Sequence, residues 1–182
     1  MFVARDSDSA PRASKPYVDG ATKKLGYLPS PIALMADSPT VLEAFTKGVD
    51  CFARSSLPEV ERETVVLTMA RVLGCHYCVA MHAGILSKLG MAALAEQLTV
   101  GEAPTEPRLA ALVRFVERLL ETHGGVDDDD LRAFGSAGFD ARAALDVVAG
   151  IGAYTVSIFA NRMTRAPLDP ELTGVEDSGA QS

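Results

Sequence analysis

The chain has 182 residues, with 17 Lys and Arg against 24 Asp and Glu, for a formal net charge of −7. That length suits one domain with a core of its own, and 48% apolar with 23% charged residues excludes a disordered chain. An acidic balance without a Lys/Arg block argues against nucleic-acid binding, because phosphate neutralisation supplies most of that affinity. No uninterrupted apolar run approaches the ~20 residues of a membrane span. The segment Met1 to Lys15 lacks the apolar stretch of a signal peptide. These features predict a cytoplasmic protein without a membrane partner. Three cysteines, an odd number, do not make a disulfide framework.

Residues 1–30 mix Ser, Lys, Gly and Pro without sustained periodicity, and read as an arm that is ordered only against a partner surface. Residues 31–166 read as one helical domain. Its first helix runs from about Pro31 through Phe52 and restarts at Ser38-Pro39-Thr40, where a polar residue precedes a proline. A second helix starts at Ser56-Leu57-Pro58-Glu59, a capping-box pattern with Ser56 as the cap, and ends at Gly74. A third covers Cys75 to Leu89 before Gly90, and a short fourth covers Ala92 to Leu98. Leu109, Leu112, Val113, Val116, Leu119 and Leu120 then form an amphipathic stripe. The run Asp127 to Asp130 reads as carboxylates at a helix N-terminus rather than as a metal site. The last helix begins near Asp140, with Leu145, Val148, Gly152, Val156 and Phe159 along one face. Residues 167–182 read as a frayed acidic tail. No repeat is visible, and the fold class is all-α.

Chemistry concentrates in one segment. Cys75 and Cys78 are three apart and His82 is four beyond Cys78, so a helix brings all three to one face. Cys75 falls in the first turn, where free N–H groups and the dipole favour a thiolate. Glu63 occupies a slot in the apolar stripe between Val60 and Leu67, where a carboxylate is costly unless paired or protonated. The short Gly74 connection makes an antiparallel pair of the second and third helices, with Glu63 facing Cys78 or His82 as a proton donor or acceptor. Tyr77 lines the same pocket or only packs. His76 falls off the stripe toward solvent, and His123 reads as a surface residue. Cys51, alone on the first helix, reads as a small apolar filler.

Glu63 followed by Cys75-x-x-Cys78-x-x-x-His82, on two helices of an all-α chain, resembles the core motif of the alkylhydroperoxidase D-like (AhpD-like) branch of the carboxymuconolactone decarboxylase family. The resemblance is close over Leu28 to Leu98 and looser over the Asp-rich helix start and Asn161-Arg162. It implies an AhpD-like helical bundle with the CxxC at the start of a core helix. It also implies reduction of organic hydroperoxides or hydrogen peroxide by a dithiol that closes to a disulfide. By position, Cys78 is similar to the peroxidatic thiol and Cys75 to the resolving thiol, with Glu63 and His82 as the proton relay. Tyr77 departs from the pattern, standing where the best-studied branch has a second histidine. The implied partners are a hydroperoxide substrate, a dithiol or protein-thiol reductant and further copies of the chain, as a trimer or hexamer. No cofactor is implied.

Two other readings compete. A zinc module would use Cys75, Cys78, His82 and Glu63, but one helical face supplies few ligands and structural zinc sites recruit another from elsewhere. A decarboxylase-type member of the same fold would bind a lactone acid through cationic groups that the motif does not contain.

Overall fold

The computed structural model describes residues 1–173, and among these the chain forms ten helices and no strand. In chain order they are α1 (Lys15–Leu25), α2 (Ser30–Met35), α3 (Pro39–Ala53), α4 (Glu59–Val72), α5 (His76–Lys88), α6 (Ala92–Val100), α7 (Pro107–Glu121), α8 (Asp128–Ser136), α9 (Ala141–Thr164) and α10 (Pro170–Thr173). The predicted all-α class holds among the described residues.

Helix α4 is the hub. Every residue from Thr64 to Ala70 is buried, because α4 packs on α5, α6, α7 and α9 at once. Burial on all sides removes the need for an apolar stripe with a polar reverse. Two cores flank it. One joins Val65, Val66 and Met69 to Cys75, Cys78, Phe115, Val116, Val147 and Ile158; the other joins Leu67 to Leu86, Leu94, Leu98 and Leu109. Gly74, at φ 68°, turns the chain from α4 into α5 in a left-handed conformation that glycine adopts without steric cost.

Helices α3 and α9 pack closely because two glycines remove side chains from their contact. A Cβ on Gly48 would lie 3.0 Å from the Ala153 Cβ, and one on Gly150 would lie 2.6 Å from the Phe52 ring. This close fit turns Ala143, Val147, Gly150, Ala153, Ser157, Ile158 and Asn161 inward. The face marked by Leu145, Val148 and Phe159 therefore points outward. Apolar residues occupy both faces of α9, and the small residues decide which one packs. At 24 residues α9 is also long and apolar enough, by length and composition, to cross a membrane. Its inward face packs on α2, α3 and α4.

Both chain ends differ from expectation. Residues 1–30 pack on the chain itself: Ala10 and Val18 are buried with Met35, Ala36 and Leu42, and buried Ser14 Oγ donates to the Ala36 carbonyl at 2.6 Å. At the other end Ala166 and Asp169 are buried and Leu172 packs on the main core. The tail is thus anchored as far as Thr173, and residues 174–182 lie outside the described range. The capping box foreseen at Ser56 does not form. Ser56 instead donates its N–H and hydroxyl to Asp146, and Pro58 occupies the cap of α4. Asp127 and Asp130 do make a capping box on α8, and Asp130 accepts from Arg118.

Candidate functional site

The turn at Gly74 sets Cys75 at the N-cap of α5 rather than inside its first turn, and Cys75 Sγ accepts the Cys78 backbone N–H at 3.4 Å. The two sulfurs lie 3.0 Å apart, both buried. From α9, Asn161 Nδ2 reaches both, at 3.3 Å from Cys78 and 3.9 Å from Cys75, and Ser157 Oγ stands 3.9 Å from Cys78. At 3.0 Å the sulfurs are close enough to share a proton, and their surroundings favour ionisation of Cys75 over Cys78. Hydrogen bonding from the Cys78 thiol is the main cause, opposed by burial and helped by the Cys78 N–H and Asn161; together they bring the Cys75 thiol down to about 6. Cys78 moves up, through its hydrogen bond to Cys75, burial and the Cys75 charge.

Glu63 and His82 meet as the antiparallel packing of α4 on α5 requires. His82 Nδ1 lies 2.6 Å from Glu63 Oε2, with both side chains largely buried. Tyr154 from α9 presents its ring edge-on to the imidazole, centroids 5.2 Å apart. Among the described residues no hydrogen bond joins His82 to either sulfur, so the carboxylate and not a thiol orients the ring. His82 and Cys78 instead share one cavity of about 430 Å³. Ile32, Phe45, Val49 and Met81 give it apolar walls, and Cys75 is not among its lining residues.

Tyr77 lines this cavity too, but its hydroxyl donates to Asp169 Oδ2 at 2.6 Å. Asp169 also accepts the Ser30 N–H at 3.2 Å and the Ser30 hydroxyl. Burial and the Asp169 carboxylate push the Tyr77 phenol far up, so it stays protonated. With His76 Nε2 3.1 Å from the Ala166 carbonyl oxygen, the two residues between the cysteines fasten the C-terminal strap to the CxxC turn. His76 is otherwise exposed and His123 is on the surface. Cys51 is not a core filler: it is exposed on α3, its sulfur 3.6 Å from Arg54 Nη2.

Among the described residues no three His, Cys, Asp or Glu side chains are grouped to hold a metal ion. The zinc reading therefore finds no ligand set here. Four groups escaped the sequence reading of the site. Ser157 and Asn161 had a visible signal, two polar residues four apart on a helix whose other buried residues are apolar. Tyr154 and Asp169 had none, because long-range packing alone brings them in.

Comparison with known proteins agrees with this architecture. Residues 39–118 match the carboxymuconolactone decarboxylase family. The fold is similar to an alkylhydroperoxidase AhpD core, a peroxidase-related protein from Ralstonia eutropha JMP134, at 23% identity and TM-score 0.84, covering 94% of this chain and 93% of that one. A peroxidase-related protein from Silicibacter sp. TM1040 is similar at 23% identity and TM-score 0.78, covering 90% and 88%. The debrominase Bmp8 is similar at 16% identity and TM-score 0.77, covering 95% and 94%. No curated protein matches the chain.

Proposed function

From the match of residues 39–118 to the carboxymuconolactone decarboxylase family and the likeness of the fold to an alkylhydroperoxidase AhpD core, we propose that the chain is a thiol-dependent peroxidase that reduces organic hydroperoxides through Cys78 and Cys75. The observation that carries this reading is the sulfur pair, 3.0 Å apart, with one member on the wall of an apolar cavity. Two thiols in contact, one of them ionised near neutrality, are equipped for two-electron oxidation to a disulfide.

The resting charge sits on Cys75, and attack draws on the form in which the shared proton has crossed to Cys75. Cys78, the sulfur open to the cavity, attacks the terminal oxygen of ROOH. An S–O bond forms, the O–O bond breaks, and RO⁻ leaves with the electron pair. His82, oriented by Glu63, relays the proton given up by the thiol pair to the alkoxide to give ROH. Because Nδ1 faces the Glu63 carboxylate, Nε2 is the nitrogen that exchanges protons. The Cys75 thiol then attacks the Cys78 sulfenic acid; the S–S bond forms, and hydroxide leaves as water with the Cys75 proton. An external dithiol supplies the two electrons that reopen the disulfide. Asn161 Nδ2, in contact with both sulfurs, holds the thiolate in place of the absent second histidine, since Tyr77 is committed to Asp169. Supply of the chain as a trimer or hexamer is part of this reading, supported by the outward apolar face of α9, and light scattering at the 19.2 kDa monomer mass would remove it.

The test is a thiol count in Cys51→Ser protein, which removes the exposed third cysteine. One equivalent of cumene hydroperoxide is expected to remove both remaining thiols and to yield one equivalent of alcohol. Thiols that persist while the hydroperoxide survives would overturn the proposal.

A further inference from the structure

Gly20 lies mid-helix in α1, where glycine weakens the helix relative to alanine. The two usual reasons for such a glycine are missing. Its φ is not in the left-handed region, and no atom lies within 4 Å of the place a Cβ would take. Neither backbone conformation nor close packing requires it.

What lies beside Gly20 is the cavity. Pro16, Tyr17, Gly20, Ala21, Lys24 and Leu25 all line it, and the spacing i, i+1, i+4, i+5, i+8, i+9 is one face of a helix. The two smallest residues, Gly20 and Ala21, sit in the middle of that face, between Tyr17 and Leu25. Cys78, His82 and Tyr154 line the same cavity from α5 and α9. Its volume of about 430 Å³ falls within the ~300–1,000 Å³ of clefts that enclose drug-sized ligands, far more than the two oxygens of hydrogen peroxide need. Lys24 and Asp50 are the charged residues that line it, both exposed and of opposite sign. That combination favours neither an anionic nor a cationic group, and leaves selection to size and apolarity.

We infer that α1 is the specificity wall of the cavity and that the missing side chain at Gly20 makes room for the uncharged, bulky apolar group R of a hydroperoxide ROOH. Residue 20 then sets the largest R the site admits. The identity of the ligand rests on the peroxidase reading; the size limit at the Cys78 sulfur does not.

The test compares Gly20→Leu and Gly20→Ala in Cys51→Ser protein, with circular dichroism to establish that the helices are retained. In Gly20→Leu, kcat/KM for cumene hydroperoxide is expected to fall about ten-fold or more, as pockets commonly discriminate by apolar bulk, and kcat/KM for hydrogen peroxide to fall far less. Gly20→Ala, which adds one methyl to empty space, changes both little. A readout without turnover is the alkylation of Cys78, located by peptide mass spectrometry. N-phenylmaleimide should slow in Gly20→Leu far more than iodoacetamide. If that ratio shifts while no peroxide is consumed, the wall stands and the peroxidase reading falls. If bulky and small reagents are affected equally, the inference is overturned.

Discussion

Asn161→Ala removes the one side-chain amide that, among the described residues, reaches both sulfurs. A hydrogen bond to a charged partner contributes about 1.5–3 kcal/mol, and one pKa unit corresponds to about 1.36 kcal/mol. Sharing between 3.3 Å and 3.9 Å contacts favours the lower end of that range. The first thiol ionisation, at about 6, should therefore rise by about one unit, toward the ~8.5 of a free thiol. Stability follows with a definite sign. Cys75 has its folded pKa below its unfolded value, so its contribution is full above the unfolded pKa and is lost as pH falls through about 6. The variant should lose more stability at pH 8 than at pH 5. A second term opposes the loss at both pH values, because Asn161 Oδ1 is buried without a hydrogen-bond partner and its removal recovers about 1–3 kcal/mol. The assay is thiolate absorbance against pH, with urea unfolding at the two pH values, in Cys51→Ser protein. An unchanged ionisation midpoint would refute the assignment of Asn161 to the thiolate.

Three further substitutions test the scaffold by chemical denaturation at neutral pH. Tyr77→Phe leaves buried Asp169 with Ser30 as its remaining side-chain donor, so a loss of about 1–3 kcal/mol is expected; an unchanged midpoint would mean the strap is not held there. Gly150→Ala places a Cβ 2.6 Å from the Phe52 ring, and overpacking should cost about 1–3 kcal/mol despite the gain in helix propensity. Stabilisation would show that α3 and α9 can separate freely. Arg108→Met replaces the guanidinium over Phe139 with an apolar side chain and strips the partner from buried Glu61. The expected loss is about 1–3 kcal/mol, below the ~3–5 of a fully buried pair because the Arg108 side chain is 37% exposed; an unchanged unfolding midpoint would mean that Glu61 does not depend on this partner.

The parts of the site set by helix periodicity were legible in the sequence. Offsets of three and four placed Cys78 and His82 on one face of α5, with Cys75 just before that helix as its N-cap, and a short glycine turn brought Glu63 of α4 against His82. Capping chemistry located the starts of α3, α8 and α9 at Ser38, Asp127 and Asp140. Long-range packing was not legible. Which apolar face of α9 turns inward depends on the fit of Gly150 against Phe52, a contact between residues 98 positions apart. Residues 1–30 looked like a free arm because α1 buries only Val18 and presents much of its surface to a cavity, not to a core. Ser56 had a local use as a cap and was taken instead by Asp146. Glu61, two residues from the carboxylate that drew attention, is the more buried of the pair and is satisfied by Arg108.

The division of labour between the sulfurs is the centre of the account, because charge favours Cys75 while access to the cavity favours Cys78. One measurement separates them: location of sulfenic acid, by a dimedone-type trap and peptide mass spectrometry, after one equivalent of cumene hydroperoxide in Cys51→Ser protein carrying either Cys75→Ser or Cys78→Ser. The account predicts label on Cys78 in the Cys75→Ser protein and little on Cys75 in the Cys78→Ser protein. Label on Cys75 in the second protein with none on Cys78 in the first would contradict it.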